Sequence, residues 1–145
     1  MTQIDFYTHV GNKLNVGCRL AAKAHAQGLR VEVLCADAPT AQSFDRMLWT
    51  VAPLAFVPHC GASHPLAART PVVIDHEGLF DTQPPHDEVL LNLRDEWPPA
   101  FSRFQRLIEI VSTDDADRAS ARARFKFYRD RGYDIRSHDL SAATA

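Results

Sequence analysis

The sequence has no apolar run approaching the ~18 residues that read as a membrane-spanning helix. Met1–Val10 has no basic segment leading into an apolar one, so it does not read as a secretory signal, and the expected location is the cytoplasm. Cysteine is scarce. The 3 thiols, Cys18, Cys35 and Cys60, are an odd number without a CxxC pair, which argues against a disulfide framework or a knotted zinc site. Positive charge is not in excess either. With 16 Lys and Arg against 18 Asp and Glu, the formal net charge is -2 and the isoelectric point about 6.4. A chain so balanced does not coat nucleic acid through its overall charge, and any such role needs a local patch. The phosphate cradles are missing as well: no GxGxxG follows the first predicted strand, and neither GxxxxGKS nor GxxxxGKT occurs. There is no GxSxG elbow.

What is present is the alternation of a single α/β domain. The 145 residues, 46% hydrophobic and 23% charged, suit one soluble globule that buries an adequate core. "IDFYTHV" reads as a strand and "KLNVGCRLAAKAHAQG" as a helix, with Leu14, Cys18, Ala21, Ala22 and His25 on one face. "RVEVLCA" is a second strand. Asp37 then caps a helix with Pro39 in its first turn and Phe44, Met47 and Leu48 facing the core. "PVVID" and "EVLLNL" are short apolar runs typical of strands covered on both faces. Pro58 demotes "AFVPHC" from a central strand. "LIEIVS" is a further strand, and Thr113 or Asp114 caps a last helix closed by Gly132. Strands alternating with helices imply a mainly parallel sheet flanked by helices, a mononucleotide-binding, Rossmann-like architecture without its phosphate loop. The expected domain spans residues 1–136, with residues 137–145 as a flexible tail.

Two stretches invite a chemical reading. "HCGASH" brings His59, Cys60 and His64 together as a candidate metal site or thiol–imidazole pair. Zinc wants three or four protein ligands, and no second pair stands at a familiar spacing, so an incidental loop thiol is the favoured reading. His76 and His86 lie in polar loops and read as solvated. Asp114, Asp115 and Asp117 cluster where a helix start favours negative charge, which accounts for them without catalysis. No cofactor is implied.

The second stretch is the last helix, Asp114–Gly132, which holds 6 of the 16 Lys and Arg residues. At ~100° per residue, Arg118, Arg122, Phe125 and Arg129 share a stripe with Lys126 at its edge. Ala116, Ala119, Ala123 and Phe127 form a separate small apolar face, expected to lie on the sheet. Cations late in a helix offset its dipole, which explains Arg129 and Arg131 but not Arg118 and Arg122 lined up with Phe125. Two ligands suit such a stripe. One is single-stranded nucleic acid, with phosphates on Arg and bases on an aromatic. The other is an acidic peptide ending in a hydrophobic residue and a free carboxylate.

From Ile4 to Tyr133 the chain also resembles a known family. "FY", "CRLAAKAHAQGLRVEVLCAD", "FDRMLWTVAPLAFVPH", "VLLNL", "FQRLIEIV" and "RARFKFYRDRGYDI" occur in the order found in chi subunits of bacterial DNA polymerase III. The resemblance implies a non-enzymatic adaptor with two protein partners, touching nucleic acid only indirectly. One partner is the psi subunit of the clamp loader; the other is the acidic C-terminal tail of single-stranded DNA-binding protein, which ends in Phe. It therefore favours the second ligand. It further implies that Val111 and Phe125 wall an apolar socket for that Phe. Arg122 and Lys126 would hold the terminal carboxylate and nearby acids, Arg118 acids further up, and Arg129 the rim. For psi it points to Trp49, Phe56, Val57, Pro58 and His59, although Trp49 and Phe56 could equally fill the core. The "GASHPLAART" loop and the residues after Tyr133 fall outside the resemblance.

Overall fold

The strand stretches are short and rich in Val, Leu and Ile because the sheet they form is covered on both faces. The computed structural model describes residues 1–51 and 56–141. Along them run β1 (Gln3–Val10), α1 (Lys13–Ala26), β2 (Val31–Leu34), α2 (Ala38–Leu48), β3 (His59–Gly61), β4 (Val72–Asp75), β5 (Val89–Asn92), β6 (Arg106–Ser112), α3 (Asp115–Asp130) and β7 (Ile135–Asp139), with 3-10 turns at Ala67–Arg69 and Phe101–Arg103. The strands form one sheet in the order β3-β4-β2-β5-β6-β1-β7. All its pairings are parallel. None of the described helices is long and apolar enough to cross a membrane.

Each helix begins on a side chain that takes up an otherwise unpaired N–H. Asn12 accepts from the Asn15 N–H at 3.0 Å, Asp37 from Thr40 at 2.9 Å and Asp114 from Asp117 at 3.1 Å. Gly132, at φ +82, turns the chain out of α3 in a conformation that costs glycine little. Gly17 lets α1 sit close to α2: a Cβ there would stand 3.2 Å from the Phe44 ring.

Two apolar cores flank the sheet. α1 and α2 cover Val31, Val33, Ile74, Leu91, Ile108 and Ile110. On the other face, α3 and the Phe101–Arg103 turn cover Ile4, Phe6, Leu34, Leu90, Leu107 and Val111. The predicted helical faces hold in part. Cys18, Ala21, Phe44 and Leu48 are buried, and Met47, Leu14 and Ala22 pack against the same core; Gly17 and Ala24 join the α1 face, and His25 is half-buried.

The expected mainly parallel sheet flanked by helices is what the structure has, with every pairing parallel. Two expectations need correction. β7 was not foreseen, and it carries residues 137–139, placed in the tail by the sequence reading, into the sheet beside β1. Its sequence, IRSHD, holds one apolar residue, because an edge strand lying largely in solvent has no alternation to read. His86 is not simply solvated. Its ring packs edge-on to Phe104, and burial pushes its pKa down to about 4. Residues 142–145 of the expected tail lie outside the described residues.

Candidate functional site

In an open parallel sheet, ligands gather at the carboxyl ends of strands where adjacent crossovers leave in opposite directions. Here that point is fixed by topology. β1 leads through α1 across β6 and β5 to β2, whereas β6 leads through α3 across β1 to β7. α1 and α3 therefore lie on opposite faces, and the crevice opens beyond the adjacent ends of β1 and β6. A cavity of about 300 Å³ occupies it on the α3 side, lined by Phe6, Thr8, His9, Val111, Ser112, Thr113, Arg118, Ala121, Arg122 and Phe125. Phe125 is half-buried, its ring edge-on to Phe6 at 5.3 Å. Phe6, Val111, Ala121 and Phe125 supply apolar wall; Arg118 and Arg122 supply charge.

The rotation of α3 differs from the predicted one. Ala121, Arg124 and Tyr128 face the sheet, while Ala116, Ala119 and Ala123 are exposed. Alanine periodicity misled because the sheet offers a buried acid. Glu109 on β6 is wholly buried and accepts hydrogen bonds from Arg124 Nε at 3.1 Å, Tyr128 Oη at 2.6 Å and Asn92 Nδ2 at 3.1 Å. Arg124 Nη1 also donates to the Asp95 carbonyl at 2.8 Å and to Ser120 Oγ at 2.6 Å. Burial raises the Glu109 pKa, and the Arg124 charge and the hydrogen bonds oppose the rise. Burial, with Glu109 beside it, likewise pushes the Tyr128 hydroxyl up. One of the six cations of the helix is thus an internal tie, and it turns Arg118, Arg122 and Phe125 toward the cavity. Phe127 lies at the other flank, stacked on Trp97 at 3.8 Å with the Arg131 guanidinium 3.6 Å from its ring centroid.

The remaining cations separate into two groups. Arg122 lines the cavity and makes no ion pair or hydrogen bond among the described residues. Arg118 lies at the same rim, 3.8 Å from the fully exposed Asp115 carboxylate. Lys126 and Arg129 stand outside the lining, both beside Asp130 at 3.0 and 3.6 Å. Sequence reasoning missed Phe6, Thr8, His9, Ala121, Ser112 and Thr113, the strand-end and helix-floor part of the wall. The known rule for open sheets pointed to strand ends, but strand order, which selects β1 and β6, is not written in local sequence. His9 is further distinguished by a left-handed backbone at φ 59, which costs a residue with a Cβ on the order of 1–3 kcal/mol.

A second surface lies where α2 ends. Trp49 and Phe56 are 56% and 65% exposed, with ring centroids 5.4 Å apart, so neither fills the core. Beneath them Val57 is buried and Pro58 half-buried. The His59 side chain is almost fully covered. It approaches the Val57 carbonyl through Nδ1 at 2.7 Å, lies 3.6 Å from Asp45 Oδ1 and meets the Trp49 ring edge-on. Ala52–Ala55, part of the same stretch of the family resemblance, lie outside the described residues. His59 and Cys60 sit on β3, and His64 in the loop beyond accepts from the Leu66 N–H at 3.0 Å. Among the described residues no three His, Cys, Asp or Glu side chains are grouped to hold a metal ion.

Residues 1–136 match the family model described as "DNA polymerase III chi subunit, HolC". Among curated proteins, the chain is 38% identical to the DNA polymerase III subunit chi of Pseudomonas aeruginosa, over 97% of this chain and 98% of that one. It is 30% identical to the Haemophilus influenzae protein of the same name, over 86% and 85%. To that of Escherichia coli it is 28% identical, over 81% and 79%. The chain belongs to the chi-subunit family of DNA polymerase III, a non-catalytic accessory subunit of the replication machinery.

Proposed function

We propose that the cavity between α3 and the ends of β1 and β6 receives the acidic C-terminal tail of single-stranded DNA-binding protein. In this reading the Trp49–Phe56 surface docks psi, so that the subunit links the clamp loader to protein-coated single strands. One observation carries the tail assignment: an apolar cavity holds at its rim an arginine, Arg122, that has no anionic partner among the described residues. Its volume of about 300 Å³ is at the small end of ligand pockets, suited to one aromatic side chain rather than a nucleotide. The terminal Phe would sit between Val111 and Phe125, with its carboxylate on the Arg122 fork. Arg118 would meet acids nearer the strand ends. Lys126 and Arg129 would exchange Asp130 for acids of the tail.

The exposed Trp49–Phe56 pair supports the psi assignment, because large aromatics above a well-packed layer are the usual anchors of an interface. The tail reading is tested by calorimetric titration with a short Asp-rich peptide ending in Phe. Binding in the micromolar range is expected, lost when the terminal Phe is deleted, strongly weakened by Arg122→Glu and reduced as salt screens the exposed charges. Absence of saturable binding to that peptide, or equal affinity for a single-stranded oligonucleotide without a protein partner, would overturn it.

A further inference from the structure

His9 stands at a break in the sheet. Tyr7 pairs with Ile110 and Val10 with Ser112, so two residues of β1, Thr8 and His9, oppose Val111 alone. This is a β-bulge, a device that adds one residue and re-aims the side chains beside it. Its effect is visible in the packing. Tyr7 and Val10, three residues apart, both pack on the α1 side of the sheet, which strict alternation forbids. Thr8 and His9 both line the cavity on the α3 side. Without the bulge His9 would turn away from the cavity. His9 takes a left-handed backbone at this bulge, φ 59, which would suit glycine better, yet an imidazole stands there.

The ring has a defined polarity. Nδ1 is 3.1 Å from Asp139 Oδ1 on β7 and 3.2 Å from Thr8 Oγ1. Nε2 makes no hydrogen bond among the described residues. A carboxylate beside Nδ1 places a proton on that nitrogen, which leaves the neutral ring with a lone pair at Nε2. A neutral His9 would therefore present an acceptor to an acidic ligand. Only the ring protonated at both nitrogens can donate to a ligand carboxylate from Nε2. The charged groups around it are Asp139 on β7 and, across the cavity, Arg118 and Arg122 of α3.

Resting on the tail-end reading above, we infer that His9 is a ligand-contacting residue of this cavity, which takes a proton from solvent as the acidic peptide binds and donates it through Nε2 to a ligand carboxylate. Binding and protonation are then linked, each strengthening the other. The test uses the full chain and the Asp-rich peptide ending in Phe, titrated in two buffers of different ionisation enthalpy. Wild type is expected to take up a measurable fraction of a proton. His9→Gly and His9→Asn, which both tolerate the left-handed backbone, should bind about two- to fivefold more weakly, the range for an exposed charged pair, and take up no proton through this site. His9→Gly should also melt no lower than wild type, which separates lost contact from lost fold. Wild-type affinity in His9→Gly, or a wild type whose heats are the same in both buffers, overturns the inference while the tail reading stands. A wild type that does not bind the peptide overturns both.

Discussion

Replacing Arg124 by Met should separate the two faces of α3. The Arg124 and Glu109 side chains are 1% and 0% exposed, and the Nε to Oε1 distance is 3.1 Å. Removing the guanidinium leaves Glu109 with only the Tyr128 and Asn92 donors, and removes the ties to Asp95 and Ser120. Breaking a buried pair from one side costs about 3–5 kcal/mol, because the other charge stays desolvated. For a chain of this size each kcal/mol moves the midpoint about 2–4 °C, so the melt should fall by roughly 6–20 °C. Adding Glu109→Gln should recover most of the loss, since the orphaned charge goes with it. Arg122→Ala, on the outer face, should stay within about 0.5 kcal/mol of wild type. Urea unfolding measures the three stabilities, and peptide titration at low temperature measures binding by whatever remains folded. The expected result is reciprocal: Arg124→Met is unstable but competent when folded, and Arg122→Ala is stable but weak in binding. An Arg124→Met protein of near wild-type stability that no longer binds peptide would refute this account, because Arg124 would then face the ligand and not the sheet.

Glu32, buried on β2, has a pKa raised to about 8 by burial first and then by Asp75 and Asp81, with Arg94 opposing. The folded state therefore keeps a proton that the unfolded state releases above pH 4.5, so this contribution to stability is full below pH 4.5 and is lost as pH rises to about 8. Glu32→Gln should flatten that decline and be the more stable protein at pH 9 by a few kcal/mol at most, as read by urea unfolding across pH. Burial pushes the Cys18 and Cys35 thiols up to about 12, so a thiol reagent added to native protein should label Cys60 and reach the other two only on unfolding. Trp49→Ala and Phe56→Ala should leave the melting midpoint nearly unchanged, since both rings are mostly in solvent, and should abolish co-elution with psi. Loss of stability without loss of psi binding would remove that surface from consideration.

Central elements were legible because their signals are local. Val72–Ile74 and Val89–Leu91 are continuous apolar runs, Val31–Leu34 is apolar but for Glu32, and α2 and α3 start on capping residues, Asp37 and Asp114, that were read from the chain. β7 was illegible for the opposite reason. An edge strand pairing only with β1 needs backbone hydrogen bonds and little apolar surface, and IRSHD offers nothing that distinguishes it from a solvated tail. The floor of the cavity was hidden in another way. Phe6 reads as core, Ala121 as one of several alanines, and Thr8 and His9 as an ordinary strand end. They become neighbours of α3 only through the strand order and the bulge.

The misreading of α3 shows why a basic helix is ambiguous in sequence. Hydrophobic pattern placed the alanines inward, because a buried arginine is rare and no single residue announces it. Yet Glu109 sits in the middle of "LIEIVS", an acid inside an apolar strand that reads as buried. Such a carboxylate requires donors or a cation, and in a parallel sheet they come from the helix packed on that face. The crossover helix following β6 offers Arg124 and Tyr128 four residues apart, on one side of the helix, and α3 turns them inward. Once that pair is assigned inward, the rest of the helix follows by rotation. Ala121 falls on the sheet, Phe125 at its margin over Phe6, and Arg118 and Arg122 at the mouth of the cavity beyond β1 and β6. The buried acid on the strand, more than the count of cations on the helix, decides which arginines are free to meet a ligand.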